Sequence, residues 1–174
     1  VSSIVLCENG SAPQISQNQI FNNENAGINC TTGSDSKIWQ NTIYNNDFGI
    51  TISDNSAPLI KSNIIVAHQN IGVAINDAEA SPEIGYNNVW SNTAADYFGA
   101  AADVGNMTTT NFNGDASDTF FNISMDPKFV NAGVLNFELL SSSPCLEAAD
   151  PANPASVAIV GARPDIGALE YSGS

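Results

Sequence analysis

The chain has 174 residues and a formal net charge of -14, with 4 Lys plus Arg against 18 Asp plus Glu. The length suffices for one domain with a real core, and the charge argues against nucleic acid and anionic membrane surfaces as partners. No run of eighteen apolar residues occurs, so no membrane insertion is expected.

The chain opens at Val1 rather than Met, and Val5-Leu6-Cys7 aligns with Ile28-Asn29-Cys30, part-way through a repeat. A processed chain or a piece of a longer protein is expected. Its open first turn would present strand edges that invite end-to-end self-association.

From Ser11 to Asn92 one pattern is written four times. Ser11-Ala-Pro13-Gln-Ile15-x-x-Asn18-x-Ile20-x-x-Asn23 is followed by copies beginning at Ser34, Ser56 and Ser81. Asn18, Asn41, Asn63 and Asn87 recur at spacings of 23, 22 and 24 residues. A period of this length signals a solenoid whose units bury their apolar faces against their neighbours. Leu is too scarce for a leucine-rich repeat, and no helical period is sustained. Ile, Val, Asn, Ser, Thr and Gly predominate instead, which form strands and turns. The predicted fold is all-β: a right-handed parallel β-helix of about four turns plus a C-terminal closing segment.

Within each copy alternation sends every second side chain inward. A second half-repeat, Gly27-Ile28-Asn-Cys30, aligns with Gly49-Ile50-Thr-Ile52 and Gly72-Val73-Ala-Ile75. Parallel stacking at roughly 4.8 Å then gives three core columns. They are Ile15, Ile38, Ile60, Ile84; Ile20, Ile43, Ile65, Val89; and Val5, Ile28, Ile50, Val73. The Asn18 column is read as a structural ladder at a bend, where Asn tolerates left-handed geometry and stacked amides hydrogen-bond along the stack. Cys7 and Cys30 share a column, either as stacked buried thiols or as a disulfide.

The chain divides into repeat turns over 1–98, a loop excursion over 99–121 and a C-terminal β segment over 122–174, all within one domain. The fourth turn degrades after Asn92, because Thr93 to Tyr97 lacks the Gly-Ile-x-Ile half. A loop as long as 99–121 is expected to be functional or disordered.

Five motifs complete the chain. They are Tyr86-Asn-Asn-Val-Trp90, Asn122-Ile-Ser-x-Asp126-Pro127-x-Phe129-Val130, Asn136-Phe137-x-Leu139, Ser143-Pro144-Cys145-Leu146-x-Ala148-x-Asp150-Pro151 and Asp165-Ile-Gly-Ala-x-Glu170-Tyr171. Together with the repeats, this series resembles the C-terminal end of secreted or surface microbial right-handed parallel β-helix proteins of the pectate-lyase-like repeat family. The resemblance implies that the segment after Asn122 closes and caps the solenoid. It also implies an extracellular or cell-surface location and a role among polysaccharide lyases, hydrolases, epimerases or adhesins.

Two groups of residues are candidate sites. Phe21, Tyr44, Val66 and Trp90 follow the second Ile column by one residue and point outward. Such a row is either covered by the C-terminal segment or the 99–121 loop, or is a platform for sugar rings or a partner. Trp39 is a lone outward aromatic of the same kind. Asp54 stacks on Asp77, and Glu24 on Asp47; stacked carboxylates are either solvated turn residues or a site for Ca2+. Asp126, Asp150 and Asp165 read as turn caps.

No residue is assigned to catalysis. A lyase needs a base and a cation to stabilise developing charge, and the candidates are His68, placed in an Asn column, and Lys37, Lys61, Lys128 and Arg163. A hydrolase needs outward carboxylates on adjacent strands, and the acids are expected in turns. The sequence therefore points to an extracellular structural or adhesive module that binds a polysaccharide or cell-surface partner. A lyase or hydrolase fragment, and a self-assembling filament or surface-layer subunit, are its rivals.

Overall fold

The computed structural model describes residues 4–152 and 159–173. Its first rungs are β1 (Val5–Cys7), β2 (Gln14–Ser16), β3 (Gln19–Phe21), β4 (Ala26–Cys30), β5 (Lys37–Trp39) and β6 (Thr42–Tyr44). They continue as β7 (Phe48–Ile52), β8 (Leu59–Lys61), β9 (Ile64–Val66), β10 (Ile71–Ile75), β11 (Glu83–Gly85), β12 (Asn88–Trp90) and β13 (Ala95–Phe98). The strands stack into three parallel sheets ordered β1-β4-β7-β10-β13, β2-β5-β8-β11 and β3-β6-β9-β12.

The register is the one the repeats predict. Val5 pairs with Ile28, Ile28 with Ile50, and Ile50 with Val73. The columns through Ile38 and Ile43 pair in the same way. All of these residues but Val5 are buried in one core cluster, and each buried Ile contributes roughly 1.5–3 kcal/mol. Gly49 lets the rungs close up, because a Cβ there would lie 2.3 Å from the carbonyl of Gly72. Cys7 pairs with Cys30 across β1 and β4, and both are buried free thiols.

The Asn column is a hydrogen-bonded ladder. Asn41 Nδ2 donates to the carbonyls of Ile15 and Trp39 at 2.9 and 3.0 Å, and Asn41 Oδ1 accepts from the backbone N–H of Asn18 at 3.0 Å. Asn63 and Asn87 repeat the pattern. A second ladder runs through Asn23, Asn46, His68 and Asn92.

Left-handed geometry falls one residue earlier than the sequence suggests. Gln17, Gln40, Ser62 and Tyr86 carry φ between 50 and 59°, and Asn22, Asn45, Ala67 and Ser91 precede the second ladder in the same conformation. The bend is made by that residue, and the Asn after it turns its amide inward to bind the exposed carbonyls. The ladder offsets the roughly 1–2 kcal/mol that a non-glycine residue loses there.

One expectation is corrected. The half-repeat that Thr93 to Tyr97 seemed to lack is present as β13, where Tyr97 pairs with Val73 and occupies the next place in the column. Ala100 and Val104 from the excursion also pack against the core, and Asn122 continues the Asn ladder beyond Asn87. The excursion continues as a hairpin of β14 (Thr109–Thr110) and β15 (Ala116–Ser117). Ile123 then bridges to Asn88, and the chain runs back along the flank.

There β16 (Phe129–Asn131) and β17 (Asn136–Leu139) form an antiparallel hairpin on the outer face of the β3-β6-β9-β12 sheet. Ile64, Val66, Ile123, Leu139, Cys145, Ala149 and Ile166 form a second buried cluster. β9 is thus buried on both faces, which explains its unbroken Ile-Ile-Val sequence. The tail is fastened to the turns: Gly167 N–H donates to the Ser62 carbonyl at 2.9 Å, and Ala168 N–H to Thr42 Oγ1 at 3.1 Å.

Candidate functional site

The outward aromatic row meets the chain's own tail along most of its length. The ring of Phe137 lies 5.7 Å from that of Phe21 and 5.2 Å from that of Tyr44, while Phe129 meets Tyr44 edge-on at 6.4 Å. Val66 is buried. Phe21 and Tyr44 therefore spend ring faces on internal packing. Physically, a hairpin with one Phe on each strand removes the apolar stripe from water.

At Trp90 this cover gives way to an open groove. Trp90 packs partly on the second cluster and lines a cavity of ≈ 740 Å³. Asn113 and Asp115 reach it from the turn between β14 and β15; Asp126, Lys128, Ser141, Ser142 and Glu147 reach it from the C-terminal segment. Asn113 Nδ2 donates to the Leu146 carbonyl at 2.7 Å, holding the turn against the tail. Asp126 accepts from Lys128 through its backbone N–H and its Nζ, both at 2.9 Å. Lys128 holds the Asp126 carboxyl below its usual range, first through the side-chain bond. The lysine charge is thereby spent, and Asp115 and Glu147 leave the groove acidic. An aromatic face, hydroxyls, an amide and carboxylates are the groups that bind a polyol.

Trp39 stands elsewhere. It lies on β5, on the outer face of the β2-β5-β8-β11 sheet, beside Ser16 and Lys61. Lys61 Nζ is 2.6 Å from Glu83 and 3.3 Å from Asp150. Burial acts to lower the Lys61 pKa, but the two carboxylates outweigh it and the net shift is upward. Lys61 is thus held as a cation, the opposite of what a base requires. Glu83 corrects the expectation that strands carry no outward acid, since it opens β11.

His68 is buried in the second ladder. Its Nδ1 accepts from the Asn46 N–H at 3.0 Å, which assigns the proton to Nε2, and burial lowers its pKa to about 4.

The stacked acids are turn residues. Asp54 Oδ2 accepts from Thr31 Oγ1 at 2.6 Å. Asp77 accepts from the N–H groups of Asn55 and Glu79 at 2.9 and 3.1 Å, which lowers its pKa. Asp47 accepts from Asn70 Nδ2, and Glu24 is exposed. Among the described residues no three His, Cys, Asp or Glu side chains are grouped to hold a metal. The anticipated caps are present: Asp150 accepts from the Ala152 N–H at 2.9 Å, and Asp165 from those of Glu147 and Tyr171, both at 2.7 Å.

The groove residues other than Trp90 carry little signal in the sequence, because three separate segments bring them together. The turn motifs Asp126-Pro127 and Ser143-Pro144 were the available markers.

Parallel sheets in single register and two inward ladders define the class, a parallel β-solenoid. The family model described as "Right handed beta helix region" matches residues 2–115, and the chain belongs to that family. No curated protein and no solved structure matches it. Among the described residues no helix is long and apolar enough to cross a membrane.

Proposed function

We propose that this β-helix is an extracellular or cell-surface adhesive module that holds a glycan in the Trp90 groove. The observation that carries this reading is the union, in one open groove, of an indole, a fixed amide, two serines and carboxylates. An indole offers an apolar face to the C–H side of a sugar ring, and the polar rim offers partners for hydroxyls. With Lys128 neutralised by Asp126, the groove favours neutral or amine-bearing sugars over polyuronates.

Tryptophan fluorescence tests it, because the chain has 2 Trp. In a Trp39→Phe variant Trp90 reports alone. Titration with neutral and amino oligosaccharides should shift its emission, and polygalacturonate should not. No shift with any neutral or amino glycan overturns the reading. Release of reducing ends or of unsaturated products from the bound glycan would favour an enzyme instead. End-to-end association through β1, β2 and β3, the outermost strands of the three sheets, is a further part of the proposal, read by sedimentation against concentration.

A further inference from the structure

A second cavity, of ≈ 290 Å³, lies on the other side of the 111–115 turn from the Trp90 groove, lined in part by Tyr86, Asn111, Phe112, Phe121 and Arg163. We propose that it binds a small planar acid, an aromatic ring bearing a carboxylate.

The walls are aromatic. Tyr86 and Phe121 stack with ring centroids 5.0 Å apart and planes 28° from parallel. Phe112, 67% exposed, stands at the edge. The cationic group is Arg163, the chain's single arginine. Its guanidinium lies 4.7 Å from the centre of the Phe112 ring, and Nη2 donates to the Ala149 carbonyl at 3.3 Å. Its Nε is closed off from solvent and has no hydrogen-bond acceptor.

The chain has a net charge of -14. Lys61 is paired with Glu83 and Asp150, and Lys128 with Asp126. Among the described residues Arg163 has no ion pair, and neither has Lys37, which is exposed and lies outside this cavity. A carboxylate fits the accessible side of a guanidinium with charge-assisted hydrogen bonds.

Of the polar lining residues Thr110 and Asn111, Asn111 is not free for a sugar. Asn111 Oδ1 accepts from the N–H groups of Asn113 and Asp115, both at 2.9 Å, and its Nδ2 donates to Asp115 Oδ2 at 3.4 Å. Its carboxamide is therefore occupied, which leaves the hydroxyls of Thr110 and Tyr86 as uncharged partners, fewer than a ring of hydroxyls presents. An inorganic anion would satisfy the arginine and leave the aromatic walls unused. The cavity is close to the lower limit of small-molecule sites, roughly 300 Å³, which suits one ring and its acid group. The site shares no lining residue with the Trp90 groove, so the two proposals stand or fall separately.

The test is calorimetric titration of the full chain with cinnamate, with cinnamyl alcohol as its neutral counterpart, and with phosphate. Cinnamate should bind at least tenfold more tightly than the alcohol, and phosphate more weakly than cinnamate. Arg163→Met should abolish the preference for the acid while the alcohol is unaffected. Phe112→Ala, at an exposed position, should weaken cinnamate several-fold, and it serves if the arginine variant does not fold. Equal binding of acid and alcohol, tighter binding of phosphate, no cinnamate binding, or an unchanged preference in Arg163→Met overturns the proposal.

Discussion

Asn122 Oδ1 accepts from Asn87 Nδ2 at 3.0 Å, closing a ladder rung across 35 residues where the rungs below it span 22 to 24. The excursion is thus spliced into the solenoid as an insertion between two places in a continuing column. Asp118 secures the splice, accepting from the N–H and the Nδ2 of Asn122, both at 2.9 Å.

Asn122→Ala should therefore loosen the excursion as well as the last rung. Loss of the acceptor leaves the buried Asn87 N–H unpaired, at a cost of about 1–3 kcal/mol. Hydrogen exchange should accelerate at Asn87 and across 99–121, with little change at β4 and β7. Unaltered exchange in the excursion would sink the splice.

Asn41→Leu should cost more, about 3–5 kcal/mol, because it strands the carbonyl of Ile15 and the N–H of Asn18 while inserting an apolar group among polar ones. Urea melts of the two proteins read the difference. Matching midpoints would mean the amides contribute nothing net.

His68 makes stability depend on pH. Burial lowers its pKa from the usual 6.5 to about 4, so the fold holds it neutral while the unfolded chain takes up a proton at higher pH. The contribution is complete above pH 6.5 and is lost as pH falls towards 4. It amounts to about 3 kcal/mol. His68→Asn restores the residue found at Asn46 and should flatten this dependence. Urea midpoints at pH 7.5 and 4.5 should fall further for the parent than for the variant; equal falls would contradict the assignment.

Tyr97 carries a buried hydroxyl without a partner at the end of the core. Burial, with the charges of Asp118 and Asp96, raises its pKa well above the usual value. Tyr97→Phe should stabilise the chain by about 1 kcal/mol by removing an unsatisfied group. A lower melting temperature would show that the hydroxyl is bound after all.

Phe137→Ala should destabilise by about 3–5 kcal/mol, since Phe137 is 2% exposed and touches the rings of Phe21, Tyr44 and Phe129. The variant should also expose the aromatic row and bind a hydrophobic dye in its folded state. A folded variant without dye binding would place the cover elsewhere in the tail.

The columns were legible in the residues alone, down to the pairing of Ile38 with Ile60, because stacking copies of one unit leaves a single register that buries the Ile residues of all three columns. The inward Asn amides followed from the same periodicity, though the left-handed residue before each did not, since Gln40 and Ser62 carry no turn signature of their own. Trp90, Asp115 and Glu147 are brought to one groove only by folding, as are the rings around Arg163. Their segments follow no repeat, so nothing periodic relates their positions. Their neighbours are chosen by the non-local packing of Phe137, Ile123 and Ile166 against the flank of the solenoid.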